Sequence, residues 1–303
     1  VAGSRRAAFS LIEILVTVAL LTVIILGLFA VFNQTQRVFR ATMNSTDVLE
    51  AGRAINGNLA RELEQVTPSD ANMINFYAQL INAKPAVQSL PGTTVGRINL
   101  LSDVFFLMRD NQSWVGVGYC VRVPDDQGRL WLPETARNNG QLGAGYLYRY
   151  SSTLPVLVTN TGFPNVGTAQ NPQQIYNDFL AASTPGSSLI SNRVCDGVIH
   201  FYLRAMDTNG WPIVLSRPPV TTIVTNNPNA PGEVWSCAYY SNAVPAFIQM
   251  ELGILEPRAF IRYNNLGDAT ARLNYLKRDD IASRVQIFRQ RIPVRNMDPT
   301  AFQ

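Results

Sequence analysis

Residues 9–32 read FSLIEILVTVALLTVIILGLFAVF, and from Ile14 to Phe32 nineteen consecutive residues carry no charge. Only Thr17, Thr22 and Gly27 interrupt the apolar run. At about 1.5 Å per residue such a helix is roughly 28 Å long, close to the thickness of the bilayer hydrocarbon core. Later apolar runs are short and broken by Gly, Pro or charge. The expectation is one membrane span near the N-terminal end, with a large region beyond it. Composition agrees: 47% of residues are hydrophobic, 15% are charged and the formal charge is +4. That excludes a disordered polyelectrolyte, which needs low hydrophobicity and high net charge. The 18 Pro and 20 Gly foretell many turns.

The residues before the span set its orientation. VAGSRRAA is short and basic through Arg5 and Arg6, so these arginines are expected to stay in the cytoplasm while the C-terminal part crosses. An ordinary secretory signal ends its apolar stretch at a small-residue cleavage site, but here FNQTQRVFRATMNS follows directly. The alternative is processing before the span, between Ala8 and Phe9, which leaves the apolar helix on the mature protein.

Arg5, Arg6, Phe9, Ser10, Leu11, Ile12 and Glu13, followed by the apolar run, resemble the start of the type IV pilin family, including the pseudopilins of type II secretion. The resemblance implies cleavage by a prepilin peptidase between Ala8 and Phe9 and N-methylation of Phe9. Ala8 departs from the glycine most members carry, though it remains small. A carboxylate inside a span costs roughly 2.5–3.5 kcal/mol on insertion scales unless it finds a partner. Glu13 either snorkels to the headgroups or, as the family implies, pairs with the Phe9 amine of a neighbouring subunit and sets the register of assembly. The implied protein is a structural minor pilin or pseudopilin subunit and not an enzyme. It would sit as a single-pass protein of the bacterial inner membrane with its head in the periplasm, and would enter a type IV pilus or type II secretion pseudopilus after processing. Its implied partners are other pilin or pseudopilin subunits, the prepilin peptidase and the inner-membrane assembly platform.

Beyond Phe32, Val48, Ile55, Leu59, Leu63 and Val66 recur at helical spacing, opposite Arg53, Arg61, Glu62 and Glu64. One helix from Phe9 to Val66 would be roughly 87 Å long, stopping at Thr67-Pro68. Gly52 and Gly57 weaken it by about 1 kcal/mol each relative to Ala. The apolar stripe needs a partner, so the expected fold class is α+β: a long helix packed on an antiparallel-sheet head with long loops. The divisions are a leader over 1–8, a transmembrane and filament-core helix over 9–32, an amphipathic continuation over 33–67 and a head over 68–303. In the head, Ser69 is expected to cap a helix running through Met73, Ile74, Tyr77, Leu80 and Ile81, with a loop from Pro85 to Gly96. Strands are expected at Ile98–Met108, Trp114–Val123, Ala144–Tyr150, Val198–Met206, Ile213–Leu215 and Phe247–Leu255. Asp207-Thr208-Asn209-Gly210 is a turn signal that makes Val198–Leu215 a hairpin. Leu154–Asn192 and Pro218–Gly232 read as long surface loops. Asp268 should cap a helix through Leu273, Leu276 and Ile281, before a last strand at Val285–Ile292. INGNLARELEQVTP (Ile55–Pro68) and VPAFIQMELGIL (Val244–Leu255) also resemble parts of the J-type minor pseudopilins.

Little in the head reads as chemistry. His200 is the single histidine, in the alternating run VIHFYLR, and is read as structural. No nucleophile elbow, phosphate loop or dinucleotide fingerprint occurs. Gly116 and Gly118 read as a packing feature, Asp125-Asp126 as a solvated turn, and Glu251 with Glu256 makes no catalytic pair. No metal or cofactor is expected. Cys195 and Cys237 are the expected disulfide, each preceding a late strand, with no bridge at all as the alternative; Cys120 is then a buried thiol. From Arg258 onward nine basic residues face four acidic ones, a balance of +5, so the first 257 residues sum to −1. That basic region leaves a second function class open, a filament-associated binding protein for DNA uptake or adhesion, against a merely solvated face.

Overall fold

The computed structural model describes residues 10–69, 73–90, 92, 96–111, 113–133, 140–155, 172–190, 192–213, 222–226 and 234–297. The chain divides into two units, Val1–Asp47 and Val48–Gln303.

Helix α1 (Leu11–Leu63) provides the described structure of the first unit and opens the second. From Leu11 to Phe39 it is long and apolar enough to cross a membrane, a wider stretch than Ile14–Phe32, and every residue in it is exposed. Its threonines turn back on the helix itself. Thr17 donates to Ile14 O at 2.8 Å, Thr22 to Val18 O at 2.8 Å and Thr35 to Val31 O at 2.9 Å. Back-bonding of this kind satisfies hydroxyls that have no water to turn to in lipid.

In the second unit the expected stripe is the core. Val48, Ile55, Leu59, Leu63 and Val66 are all buried and join one apolar cluster with the sheet. The helix ends at Leu63, earlier than Thr67-Pro68, because Val66 leaves it to bridge Met108.

The chain then forms β1 (Ile74–Leu80), β2 (Ala86–Ser89), β3 (Gly96–Asn99), β4 (Ser102–Asp110), β5 (Ser113–Pro124), β6 (Leu130–Trp131), β7 (Gly145–Pro155), α2 (Pro172–Ser183), β8 (Asn192–Met206), β9 (Thr222–Asn226), β10 (Val234–Tyr240), β11 (Phe247–Leu255), α3 (Pro257–Asn264), α4 (Ala269–Lys277), α5 (Asp279–Ala282) and β12 (Val285–Pro293). Ten strands make one antiparallel sheet in the order β12-β11-β8-β7-β5-β4-β1-β10-β9, with β6 paired to β5; β2 and β3 form a separate hairpin. Period-2 alternation assigns its two faces. On β5, Val117, Tyr119 and Val121 join the cluster that contains the α1 stripe. Gly116 and Gly118 face the other way, where Ile175 and Phe179 of α2 press so close that an added Cβ would lie 2.3 Å from each. These glycines are a packing feature, as expected, and the helix above them explains why.

The structure corrects several expectations. Ile74–Leu80 is a strand and not the expected helix: Met73, Ile74, Tyr77, Leu80 and Ile81 fit helical spacing, but Ile74–Leu80 also alternates. Pairing with β4 on one side and β10 on the other outweighs local propensity. The stretch between Pro85 and Gly96 begins with β2. The single strand expected over Ile98–Met108 breaks at Leu100–Leu101, where the chain turns its hydrogen bonds to His200 and Phe201. Leu154–Asn192 contains α2, and Pro218–Gly232 contains β9; the remainder of both segments lies largely outside the described residues. The Asp207–Gly210 turn is present, with Gly210 at φ +77°. After it the pairing is a bridge between Met206 and Pro212, and Leu215 lies outside the described residues. Asp268 caps α4 as expected, accepting from Ala271 N at 3.0 Å, but that helix stops at Lys277, where Arg278 turns extended, and Ile281 lies on the separate α5.

The Cys195–Cys237 disulfide is not formed, and all three cysteines are buried free thiols. The strands Val198–Met206 and Phe247–Leu255 are indeed neighbours. Cys237, however, lies within β10, and β7, β5, β4 and β1 stand between it and β8 in the sheet order. Burial pushes each thiol up to about 12, so none is a nucleophile at neutral pH.

Candidate functional site

The N-terminal segment begins with a reciprocal helix cap. Ser10 Oγ accepts from Ile12 N at 3.2 Å, while Glu13 Oε2 accepts from Ser10 N at 3.1 Å. This is the capping box that Ser-x-x-Glu encodes, satisfying two of the donors that every helix start leaves open. Beyond its charge in the apolar run, Glu13 thus has a local role at the helix start. The spacing of Ser10 and Glu13 held this second role in plain view. Glu13 remains exposed at the head of the apolar helix, so its carboxylate is held on its own helix start and stays open to a partner. Arg5, Arg6, Ala8 and Phe9 lie outside the described residues.

At its other end α1 is clasped to the sheet. Glu62 Oε1 accepts from Arg149 Nη2 at 2.8 Å and Nε at 3.1 Å, and Glu62 Oε2 accepts from Tyr119 Oη at 2.6 Å. Burial, then the Glu62 hydrogen bond and charge, push the Tyr119 phenol far above its ordinary range. Burial works against the Arg149 cation, but Glu62 outweighs it and holds the guanidinium above its usual value. Glu64 pairs with Arg295 beyond β12. Glu62 and Glu64, read as a polar helix face, are therefore its fastening.

Among the described residues the most buried charge in the head is Arg122, whose side chain is 2% exposed. It meets Asp103 through two parallel bonds of 2.9 and 2.6 Å and gives its other donors to Ser183 O and Val121 O. Burial disfavours its charge, but the Asp103 carboxylate more than compensates, so it stays firmly protonated. With all five donors used, Arg122 joins α2 to β4 and β5 and has none left for a ligand. Ordinary sequence signals missed this because an arginine on a strand reads as outward-facing.

The remaining candidates are structural. His200 is buried and accepts from Leu100 N at 3.0 Å through Nδ1. Glu251 faces it at 3.6 Å and pairs with Arg289 at 3.0 Å. Asp125 closes its own turn, accepting from Gln127 N, Arg129 and Trp131 Nε1; desolvation works against its charge, but the bonds from Trp131, Arg129 and Gln127 together outweigh it and hold its carboxyl down to about 2. Among the described residues no group of three or more His, Cys, Asp or Glu is placed to hold a metal. In the basic C-terminal region Arg278, Arg284, Arg289 and Arg295 are ion-paired with Asp280, Glu256, Glu251 and Glu64. Arg272 donates to Leu266 O and Asn264 O. Three of these acids, Glu256, Glu251 and Glu64, precede Arg258 in sequence and so answer part of the +5 balance.

Residues 3–29 match the family described as the prokaryotic N-terminal methylation motif. Neither the curated proteins nor the solved structures provide a match to the chain. The motif on an N-terminal apolar helix supports the type IV pilin and pseudopilin family, though not its J-type branch in particular. Its members are structural subunits and not an enzyme family. The motif implies processing by prepilin peptidase and assembly with other pilin subunits, and the apolar helix fits membrane anchoring.

Proposed function

We propose that this protein is a minor pilin or pseudopilin subunit, cleaved between Ala8 and Phe9 and carried by its N-terminal helix from the inner membrane into a filament. The observation that carries this reading is the match over residues 3–29, which from Leu11 onward lies on a helix exposed at every residue from Leu11 to Phe39. In water that surface is untenable; in lipid, and then against the same helices of neighbouring subunits, it is covered. Arg5 and Arg6 hold the leader in the cytoplasm. The head is delivered to the periplasm, and the assembly platform acts on the membrane-held subunit. Glu13 pairs with the new amine of Phe9 on the adjacent subunit: removal of both charges from lipid makes the paired register the favoured one. The head supplies lateral or tip contacts.

The test is mass spectrometry of protein extracted from membranes of cells with and without a prepilin peptidase. The expected product begins with an N-methylated Phe9 only where the peptidase is present. A chain that keeps Val1–Ala8 in its presence overturns the reading.

A further inference from the structure

Under the β2–β3 hairpin the head is polar. Gln88 and Asn99 are fully buried there, and both Asn99 and Arg97 donate to Gln88 Oε1. The hairpin is tied to the body through a few bonds. Gln88 Nε2 donates to Leu276 O at 3.1 Å, Arg97 Nη2 to Ala282 O at 3.4 Å, Leu100 N to His200 Nδ1 at 3.0 Å and Phe201 N to Leu100 O at 2.8 Å. Arg97 Nε, Asn99 Oδ1 and His200 Nε2 are buried and make no hydrogen bond within the protein. This seam is closed by polar groups that are incompletely satisfied, which makes it easier to part.

The Leu100 bond fixes the state of the imidazole. A backbone N–H is a donor, so Nδ1 must present a lone pair and the neutral ring carries its proton on Nε2, toward Glu251. A second proton can go only to Nδ1. It removes the acceptor of Leu100 N–H and sets two N–H groups against each other. It also gives the ring a positive charge 3.6 Å from the Glu251 carboxylate on β11, which draws it away from Leu100. The other charged or titratable groups around the seam are Arg289 on β12, already paired with Glu251, Arg97 on β3, and Tyr202 on β8, whose ring lies 6.5 Å from the imidazole.

We propose that His200 is an acid-released latch. Neutral, it holds the junction between β3 and β4 to the sheet at Leu100; protonated, it turns to Glu251 and frees the hairpin, exposing the amide and guanidinium groups of Gln88, Asn99 and Arg97. This device is independent of the filament reading.

Hydrogen exchange measured by mass spectrometry on the full chain in detergent tests it, with rates corrected for the intrinsic effect of pH. Imidazoles change charge between about pH 5 and 8. Across that range the segment 96–101 is expected to lose protection about tenfold, while β5 and β11 keep theirs. His200→Gln, which offers Leu100 a neutral acceptor, should abolish the pH response, and Glu251→Gln should move it to lower pH. Unchanged wild-type protection at 96–101, or an acid response that survives in His200→Gln, overturns the latch. Imidazole nitrogen chemical shifts of the wild-type protein give a check that needs no substitution: a neutral ring protonated on Nδ1 also overturns it.

Discussion

Arg122 shows how one residue can carry a charge into a core. Its cost is met by a bidentate carboxylate and three carbonyl contacts, and removal of either partner strands the other. Arg122→Met should destabilise the head by about 3–5 kcal/mol, and adding Asp103→Leu should restore part of that loss. Thermal unfolding of the full chain in detergent, read as a double-mutant cycle, measures both. Glu251 predicts a pH dependence. The His200 imidazole facing it contributes most, Gln249 and Arg289 add to it, and together they outweigh burial to lower its carboxyl from 4.5 to about 2. The folded protein therefore binds this proton more weakly than the unfolded chain does. Its stabilising contribution is complete above about pH 4.5 and is lost as pH falls through about 2. Unfolding midpoints taken down that range should fall, and Glu251→Gln should flatten the fall; an equal slope in the variant would contradict the assignment.

At the scale of elements, the C-terminal part of α1 contains two glycines that the sequence makes look alike. Each was expected to weaken the helix by a similar amount, yet their surroundings differ. A Cβ on Gly52 would lie 2.1 Å from the Phe288 ring of β12, whereas one on Gly57 meets nothing within 4 Å. Gly57→Ala should therefore stabilise the protein by about 0.5–1 kcal/mol through helix propensity alone. Gly52→Ala should destabilise it by about 1–3 kcal/mol through overpacking, with Phe288→Ala relieving the clash. Equal shifts in the unfolding temperature would contradict this. The same comparison explains what was legible. The stripe Val48–Val66 could be read because period 3.6 is a local property, and β11 because its alternation and its flanking proline are local too. β1 was misread because seven residues can satisfy both periods at once, and the choice was made by β4 and β10, 22 to 166 residues away in sequence.

For the whole molecule, the division at Asp47–Val48 assigns the last turns of α1 to the head and not to the span. A fragment Val48–Gln303 should fold cooperatively in water without detergent. One beginning at Pro68 leaves Phe76, Val104, Phe106 and Val117 without Ile55, Leu59 and Leu63 to cover them. It should aggregate or unfold without a cooperative transition, as calorimetry or circular dichroism would record. A cooperative Pro68 fragment of equal stability would overturn the assignment. The apolar helix and its cap were legible almost entirely in the sequence: a long uncharged run and Ser-x-x-Glu act within one continuous helix, so their consequences follow from order alone. The absence of a Cys195–Cys237 bridge, the pairing of Glu62 with Arg149, the burial of Arg122 and the placing of His200 between Leu100 and Glu251 were not legible there. Each depends on which strands become neighbours in a ten-stranded sheet, and that is decided by the summed burial and hydrogen bonding of the whole head. Order along the chain determined which helix is long and apolar enough to cross a membrane and how that helix begins; only the tertiary structure decided which charges meet, because partners distant in sequence become close only when the sheet closes over the helix.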